Sequence, residues 1–370
     1  MTAVNDVRYM TLALNLGQRG QGNVWPNPAV GCVIVKDGRI VGRGWTQKGG
    51  RPHAEVIALR QAGAQAHSAT AYVTLEPCAH HGLTGPCAEA LVTAGIRRCV
   101  VALTDPDPRV SGAGLAELKA AGIDVDLGCM SEQAKVAHRG FFIRLAKGRP
   151  RLTLKLAMSL DGRIATFTGE SQWITSEASR RDVHGLRACH DAVLVGSGTV
   201  KADDPSLIAR NLGQISQPVR IIASTDLDFV GAALKSSRDV APLWLCHGPG
   251  ATGKDAWLDD CDKLLEIPKV VNGQLNVVAL LQALGVTGLT SVFCEGGGSL
   301  AASLLKADLV DDLIVYNAGF SIGADGLAGV ADLGLDRLTD ARRFTLVNCR
   351  KIGSDVRQHW RALHYYHQRE

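Results

Sequence analysis

Aromatic residues are scarce in this chain of 370 residues: seven Phe, six Trp and five Tyr. A surface that stacks single-stranded nucleic acid interleaves aromatic faces with cations, so that class is disfavoured from the start. One-sided charge is also missing. Forty Lys and Arg stand against 36 Asp and Glu, a net charge of +4. That is too small and too dispersed for a polyanion-binding surface, but it suits a small anionic ligand met by a few placed Arg or Lys. No apolar run reaches the ~18 residues that a membrane span requires. The opening stretch MTAVNDVRYMTLALNLGQRG has no basic segment ahead of an apolar core and no clear cleavage site, so no signal peptide is expected. Ten cysteines in such a chain read as reduced, mostly buried thiols of a cytoplasmic protein. Repeats and low-complexity tracts are absent. No G-x-G-x-x-G follows a strand, which argues against a Rossmann dinucleotide site.

What is present is alternation. A length of 370 residues predicts two domains. Apolar spacing predicts a helix over 5–20, and two β-rich runs around Asp37-Gly38 predict a hairpin over 29–45. A helix from His53 to about Ala62 follows, then a strand over 69–76, a helix over 86–94 and a strand over 97–103. A helix over 112–121 and a strand over 122–128 complete a layered α/β domain. After a helix over 131–146, Gly148 and Pro150 punctuate a boundary. The expected domains are therefore 1–147 and 151–370. The second half is expected to hold strands over 152–158, 191–199, 219–225, 242–247, 291–297 and 312–319, with helices over 176–188, 276–285 and 299–306.

Two short stretches carry chemistry: HAEV at 53–56 and PCAHHGLTGPC at 77–87. His53 and Cys87 each open a helix, and Cys78 follows a strand. Two helix N-termini converging on one point place N–H dipoles beside the sulfurs and favour thiolates. One His and two Cys supply three ligands. Structural zinc is usually closed by four, whereas catalytic zinc keeps a position open for water, whose pKa it lowers from about 15.7 towards 7. Glu55, in the same helical turn as His53, then serves as acid and base, as in the His-x-Glu and Pro-Cys-x-x-Cys pattern of zinc deaminases. Here eight residues separate the cysteines. His80 and His81 in that gap are near enough to compete as ligands, but their place on a wide loop suits substrate contact better. Asn27, between Pro26 and Pro28, either offers its amide to a heterocycle or simply sits in a rigid turn. Near the other end, EGGGSLAASLL (295–305) reads as a strand end, a glycine turn and a helix start. Backbone N–H groups there can cradle a pyrophosphate, although such a turn needs no ligand. Two rival readings stay open: a tRNA-adenosine or free-cytidine deaminase with an accessory domain, and a zinc-stabilised binding module with a fourth protein ligand.

Together, WPNPAVGCVIVKDGRIVGRGW, PHAEVIAL, AYVTLEPCAHHG and LTDPDPRVSGAGL resemble the bifunctional riboflavin-biosynthesis deaminase/reductase family, and LKLAMSLDGRIA, GESQWITS, ADDPSL and EGGGSLAASLL continue the resemblance in the same order. It covers nearly the whole chain and is weakest over about 226–290. It implies a cytidine-deaminase-like α/β domain followed by a dihydrofolate-reductase-like α/β domain. It implies deamination of a phosphorylated diaminopyrimidinone, then NADPH-dependent reduction of its ribosyl group to ribityl. Zinc would be held by His53, Cys78 and Cys87, with Glu55 catalytic, and Asn27 and His80 would line the substrate pocket. Cofactor contacts would fall on Ala157, Trp173, Thr199, Asp203 and Thr225, and on Gly297, Gly298, Ser299, Leu300, Ala301, Ala302 and Ser303. Substrate contacts would fall on Ser171, Arg187, Leu207, Arg210 and Glu295, with Arg187 and Arg210 offering fork donors to the phosphate. Lys155, on the first strand of the second domain, would polarise the imine or bind phosphate. The family also suggests a homodimer or homotetramer, acting on a small molecule and on neither nucleic acid nor membrane. Leu83, Gly85, Asp107 and Ser224 depart from the family pattern, so a phosphate contact from the 80–86 loop is not expected.

Overall fold

The chain divides into two units, Met1–Gly148 and Arg149–Glu370. The second begins two residues ahead of the expected boundary at 151. Residues 3–80, 85–107 and 111–363 are described in this computed structural model.

The first unit is built on five strands: β1 (Gly31–Lys36), β2 (Arg39–Trp45), β3 (Thr70–Val73), β4 (Arg98–Val101) and β5 (Asp124–Leu127), in the order β2-β1-β3-β4-β5. β1 is antiparallel to both β2 and β3, while β3, β4 and β5 run parallel. Side chains alternate across the sheet with the period of two that strands impose. Cys32, Ile34, Ala71, Val73, Cys99 and Val101 join one core with α2 (Ala54–Ala62), α3 (Cys87–Thr93) and α4 (Ala113–Ala120). Val33, Val35, Tyr72 and Val100 join the other with α1 (Ala3–Gly17) and α5 (Ser131–Ala137). α2 lies directly on β2 because two glycines let it. A Cβ on Gly44 would fall 2.1 Å from the Ala54 carbonyl oxygen, and one on Gly42 2.2 Å from that of Ala58. This contact fixes the start of α2, and with it His53.

The helix expected over 131–146 is two helices, α5 and α6 (Arg139–Lys147), with His138 between them. His138 is buried, and its Nε2 lies 3.1 Å from Thr74 Oγ1. The imidazole is turned into the core at the junction rather than carried on one continuous helical face.

The second unit contains β6 (Arg151–Met158), β7 (Arg163–Ala165), α7 (Glu177–Ala188), β8 (Ala192–Gly196), α8 (Ser197–Asp203), β9 (Val219–Ser224), α9 (Ala232–Ser236), β10 (Leu243–His247) and β11 (Lys263–Glu266). α10 (Val277–Val286), β12 (Ser291–Gly296), α11 (Gly298–Lys306), β13 (Asp312–Asn317), β14 (Leu327–Ala328), β15 (Phe344–Ile352) and β16 (Asp355–Ala362) follow. Nine strands form one sheet in the order β11-β10-β9-β8-β12-β6-β13-β16-β15, parallel through β13, with an antiparallel hairpin β15–β16 at the edge. The strand expected over 191–199 ends at Gly196, where α8 begins, so Thr199 is helical. β11, α9 and the closing hairpin had no clear sequence signal. β15 (FTLVNCRKI) is exposed along most of its length, and its apolar residues do not alternate with polar ones, so it lacks the pattern that marks a half-buried strand. At the start of the unit the buried Arg149 makes two hydrogen bonds to the buried Asp311, at 2.7 and 2.9 Å.

Candidate active sites

In the first unit His53 stands immediately before α2, as its N-cap, and Cys87 is the first residue of α3. Cys78 lies on the loop leaving β3. His53 Nδ1 is 3.6 Å from Cys78 Sγ and 3.3 Å from Cys87 Sγ, and the three ligand atoms lie within 4.8 Å of one another. Tetrahedral zinc with S ligands at about 2.3 Å and N at about 2.0 Å sets such edges near 3.5 Å, so the donor triangle has the size the metal needs. Among the described residues this is the one group of three or more His, Cys, Asp and Glu that could hold a metal ion. The amide of Cys87 points at Cys78 Sγ at 3.4 Å, and the amide of Ala88 donates to the Cys78 carbonyl at 3.1 Å. The first turn of α3 is thus aimed at Cys78, as the sequence predicted.

The two thiols of this cluster are shifted in opposite directions. Cys78 is drawn down to about 4, chiefly by a hydrogen bond from the Cys87 thiol, against its own desolvation and with help from His53. That bond to Cys78, together with burial, pushes Cys87 well up. One thiol gives up its proton easily and the other only against its neighbour's charge. A divalent metal removes that conflict, because both sulfurs bind it as thiolates. The donor set therefore fits zinc. Glu55, 3% exposed, is raised to about 7, first by burial, with His53 opposing. A carboxyl so placed can both take and return a proton at neutral pH.

Glu76 was not singled out by the sequence reading, yet it organises this loop. Its Oε2 accepts the amides of Asp105 (3.1 Å) and Gly112 (3.0 Å), and its Oε1 those of Gly114 (3.0 Å) and Leu115 (3.3 Å). The carboxylate caps α4 from outside the helix, two residues before Cys78. A Cβ on Gly114 would fall 1.9 Å from the Pro77 carbonyl oxygen. Asp107 is buried, and its amide donates to Asp105 Oδ1 at 2.9 Å. Asn27 is half-buried, and its Nδ2 donates to the Gly50 carbonyl at 2.9 Å. His80 and Gly85 are exposed, whereas His81 and Leu83 lie outside the described residues.

In the second unit a cavity of about 1080 Å³ opens at the carboxyl ends of β6, β8, β9 and β12. Ligands of open α/β sheets bind at such strand ends. Lys155, Arg187, Glu295 and His184 line one part of it. Arg187 grips Glu295 with two hydrogen bonds, one from Nε and one from Nη2 at 3.0 Å, and gives Nη1 to the Ile208 carbonyl at 2.9 Å. Its fork is engaged by Glu295 in this structure, at the wall of the cavity. Arg210 is exposed and lines the same wall, with its amide 3.3 Å from His184 Nδ1. Burial pushes the Glu295 carboxyl up, but the Arg187 charge and hydrogen bonds, then Lys155, bring it below its ordinary value. Burial lowers the Lys155 amine, with Glu295 opposing.

The remaining expected contacts mostly gather on this cavity. Ser171 Oγ donates to Asp203 Oδ1 at 3.0 Å, and both line the wall with Ala157, Leu207 and Thr225. Trp173 is exposed and carries the Arg180 guanidinium 4.4 Å over its ring. Thr199 Oγ1 donates to the Gly296 carbonyl at 3.2 Å. Gly297, Gly298, Ser299, Leu300 and Ser303 face the cavity from the start of α11. Ala301 and Ala302 do not; they are buried on the inner side of that helix. Ser224 closes the turn after β9, its Oγ accepting the Leu227 amide at 3.0 Å. His184 escaped the sequence reading because a lone histidine on a polar helix carries no signal of its own.

Comparison with known proteins follows the same division. Residues 3–103 match the cytidine and deoxycytidylate deaminase zinc-binding region, and residues 150–357 match the RibD C-terminal domain. The riboflavin biosynthesis protein RibD of Escherichia coli K12 is 44% identical over 96% of this chain and 99% of its own. A solved structure of Acinetobacter baumannii RibD is 38% identical and superimposes with a TM-score of 0.88 over 98% of this chain and 99% of that one. A Thermotoga maritima structure, of a diaminohydroxyphosphoribosylaminopyrimidine deaminase/5-amino-6-(5-phosphoribosylamino)uracil reductase, is 32% identical with a TM-score of 0.86, over 97% and 99% of the two chains. With matches of this extent in both halves, the chain belongs to the RibD family of riboflavin biosynthesis proteins.

Proposed function

We propose that His53, Cys78 and Cys87 hold one zinc ion, that Glu55 moves the protons of a hydrolytic deamination, and that the second-unit cavity takes NADPH and the phosphorylated sugar. The chain is a bifunctional enzyme of riboflavin biosynthesis, a zinc-dependent deaminase joined to an NADPH-dependent reductase. On this reading residues 1–147 form the deaminase domain and residues 151–370 the reductase domain. The first substrate is 2,5-diamino-6-ribosylamino-4(3H)-pyrimidinone 5′-phosphate and the final product is 5-amino-6-ribitylamino-uracil 5′-phosphate. The name of the Thermotoga relative supports both assignments.

Zinc, when bound, supplies a water activated at neutral pH. Glu55 takes the proton released as water adds to the ring carbon bearing the 2-amino group, and passes it to the departing ammonia. Its burial keeps the carboxyl near the pH at which it must do both. Asn27, with Nδ2 tied to the Gly50 carbonyl, presents Oδ1 to the heterocycle, and His80 covers it from the exposed loop. In the second unit NADPH, when bound, supplies the hydride. The ribosylamine opens to an imine there, and Lys155 polarises it for addition at C1′. Glu295 keeps Lys155 charged, and Arg187 keeps Glu295 charged. Arg210 and Ser171 hold the substrate phosphate and sugar, with Leu207 packed against them. Ala157, Trp173, Thr199, Asp203, Thr225 and the start of α11, Gly297 to Ser303, hold the cofactor. Ala301 and Ala302 serve it by packing that helix down rather than by contact.

The observation that carries the reading is the His53, Cys78 and Cys87 triangle with Glu55 buried in the first turn of α2, two residues from His53. Glu55→Gln tests it. Zinc stays bound at about one ion per chain, and deamination falls roughly a thousandfold. NADPH-dependent reduction of supplied deaminated intermediate survives. Loss of zinc and fold together, or undiminished deamination, would overturn the assignment. We further propose a homodimer or homotetramer in the cytoplasm. The edge strand β15, with Leu346 and Val347 about half exposed, supports the first. The ten unpaired cysteines support the second. Light scattering on the purified chain decides the oligomeric state.

A further inference from the structure

NADPH differs from NADH by one phosphate on the adenosine 2′-oxygen. A site that selects it needs a cation at that ribose, whereas an uncompensated acid there favours the free 2′-hydroxyl of NADH. The sheet indicates where the ribose falls. Lys155, Glu295, Gly196 and Ala223 line the cavity from β6, β12, β8 and β9, which are neighbours in that order. Adjacent strands stand ~4.8 Å apart, so β6 to β9 covers roughly 14 Å. Hydride transfer belongs at the Lys155 and Glu295 end, where Arg187, Arg210 and His184 also gather. The amides of Gly298 and Ser299 at the start of α11 suit the pyrophosphate. The adenosine ribose then lies over β9 and its neighbour β10.

One lysine stands beside that end, just outside the residues that line the cavity. Thr225 lines the cavity just past β9, and the Gly248 amide, just past β10, donates to the Thr225 carbonyl at 3.0 Å. The Lys269 side chain crosses Gly248: a Cβ on that glycine would fall 2.3 Å from Lys269 Cε and 3.3 Å from Nζ. The Lys269 backbone bridges Leu275, which lines the same cavity together with Gln274. Its ammonium is 3.6 Å from Asp226 Oδ1, and the two side chains are 33% and 55% exposed, so neither is sealed from a ligand. Asp203 and Asp204 line the cavity, while Lys201 and Asp228 stand outside its lining. Asp204 accepts the Ala233 amide, and Lys201 pairs with Asp228 at 3.8 Å.

We propose that Lys269 recognises the 2′-phosphate and sets the preference for NADPH over NADH, while masking the charge of Asp226. The inference rests on the assignment of this cavity to the cofactor. Its test uses full-length protein and two nucleotide probes, adenosine 2′,5′-bisphosphate and 5′-AMP, with affinities measured by calorimetry and by displacement with NADPH. The wild-type chain binds the bisphosphate about tenfold or more tightly than 5′-AMP, the advantage of one charged hydrogen bond. Lys269→Met keeps the aliphatic stem over Gly248 and brings the ratio close to one without weakening 5′-AMP. Lys269→Arg keeps the preference, and Asp226→Asn enlarges it. An unchanged ratio in Lys269→Met overturns the proposal, and so does an equal loss in Lys201→Met, which would make the effect one of general charge. A different failure marks the cavity assignment: NADPH then displaces neither probe from the wild-type chain, and the role of Lys269 falls with it.

Discussion

Glu76→Gln should be more damaging than its modest chemistry suggests. Glu76 is 4% exposed and accepts four backbone amides, two on each oxygen. Three of them come from the start of α4, where a negative charge also meets the positive end of the helix dipole. Glutamine keeps the shape but has one accepting oxygen. Its NH₂ must face two amides that need an acceptor. Hydrogen bonds to a charged group contribute about 1.5–3 kcal/mol each, and a buried donor left unmet costs a similar amount. Losing two predicts roughly 3–6 kcal/mol, a large part of the 5–15 kcal/mol that holds a typical domain. For a unit of this size, ~1 kcal/mol moves the melting temperature by about 2–4 °C, so a drop on the order of 10 °C is expected. Scanning calorimetry of the full chain should show it in the first unit's transition, with the second unit's unmoved. Zinc should also leave faster under a competing chelator, since Cys78 follows two residues later. A shift below about 2 °C with wild-type zinc retention would refute the reasoning, because the four amides would then have found other acceptors.

Gly114→Ala should lower the same transition and loosen zinc, because its Cβ would sit 1.9 Å from the Pro77 carbonyl oxygen; a wild-type melting profile would show that the backbone gives way at little cost. Arg187→Met should cut reduction at least about a hundredfold while leaving deamination untouched, since it strips Glu295 of its bidentate partner. The same variant has a pH signature. Glu295 is held below its ordinary value, so its stabilising charge is complete above the ordinary carboxyl pKa of about 4.3 and is lost as pH falls through the lowered one. Without Arg187 burial dominates, the carboxyl rises, and the acid limb of the reductase rate profile should move to higher pH; an unmoved limb would show that Glu295 is not the group being titrated.

The sequence made the metal triangle legible because its members lie in short segments with strong local meaning. A proline precedes each cysteine, His53 precedes an amphipathic helix, and glycines at 42 and 44 accept that helix against the sheet. Glu76 stayed hidden although it adjoins Cys78, since its partners are amides from residues 105 to 115 that no pattern ties to it. The reductase wall was harder still. Arg187 and Glu295 are 108 residues apart, and only the parallel neighbours β8, β12 and β6 bring them together. Periodicity located most buried strands and failed on β15, whose exposed residues leave no stripe. It also ran the strand of β8 through Ser197 into α8, past the glycines at 196 and 198 where the strand stops and the helix begins.

The clamp between Arg149 and Asp311 bears on how the two activities can be separated. A reductase fragment cut at residue 151, where the sequence places the domain start, discards the guanidinium and its two bonds to a buried carboxylate at the head of β13. Removing one partner of such a pair costs about 3–5 kcal/mol. A fragment starting at Arg149 keeps it. The choice of two residues at the amino end would thus decide whether an isolated half reports on its own chemistry or on its own unfolding.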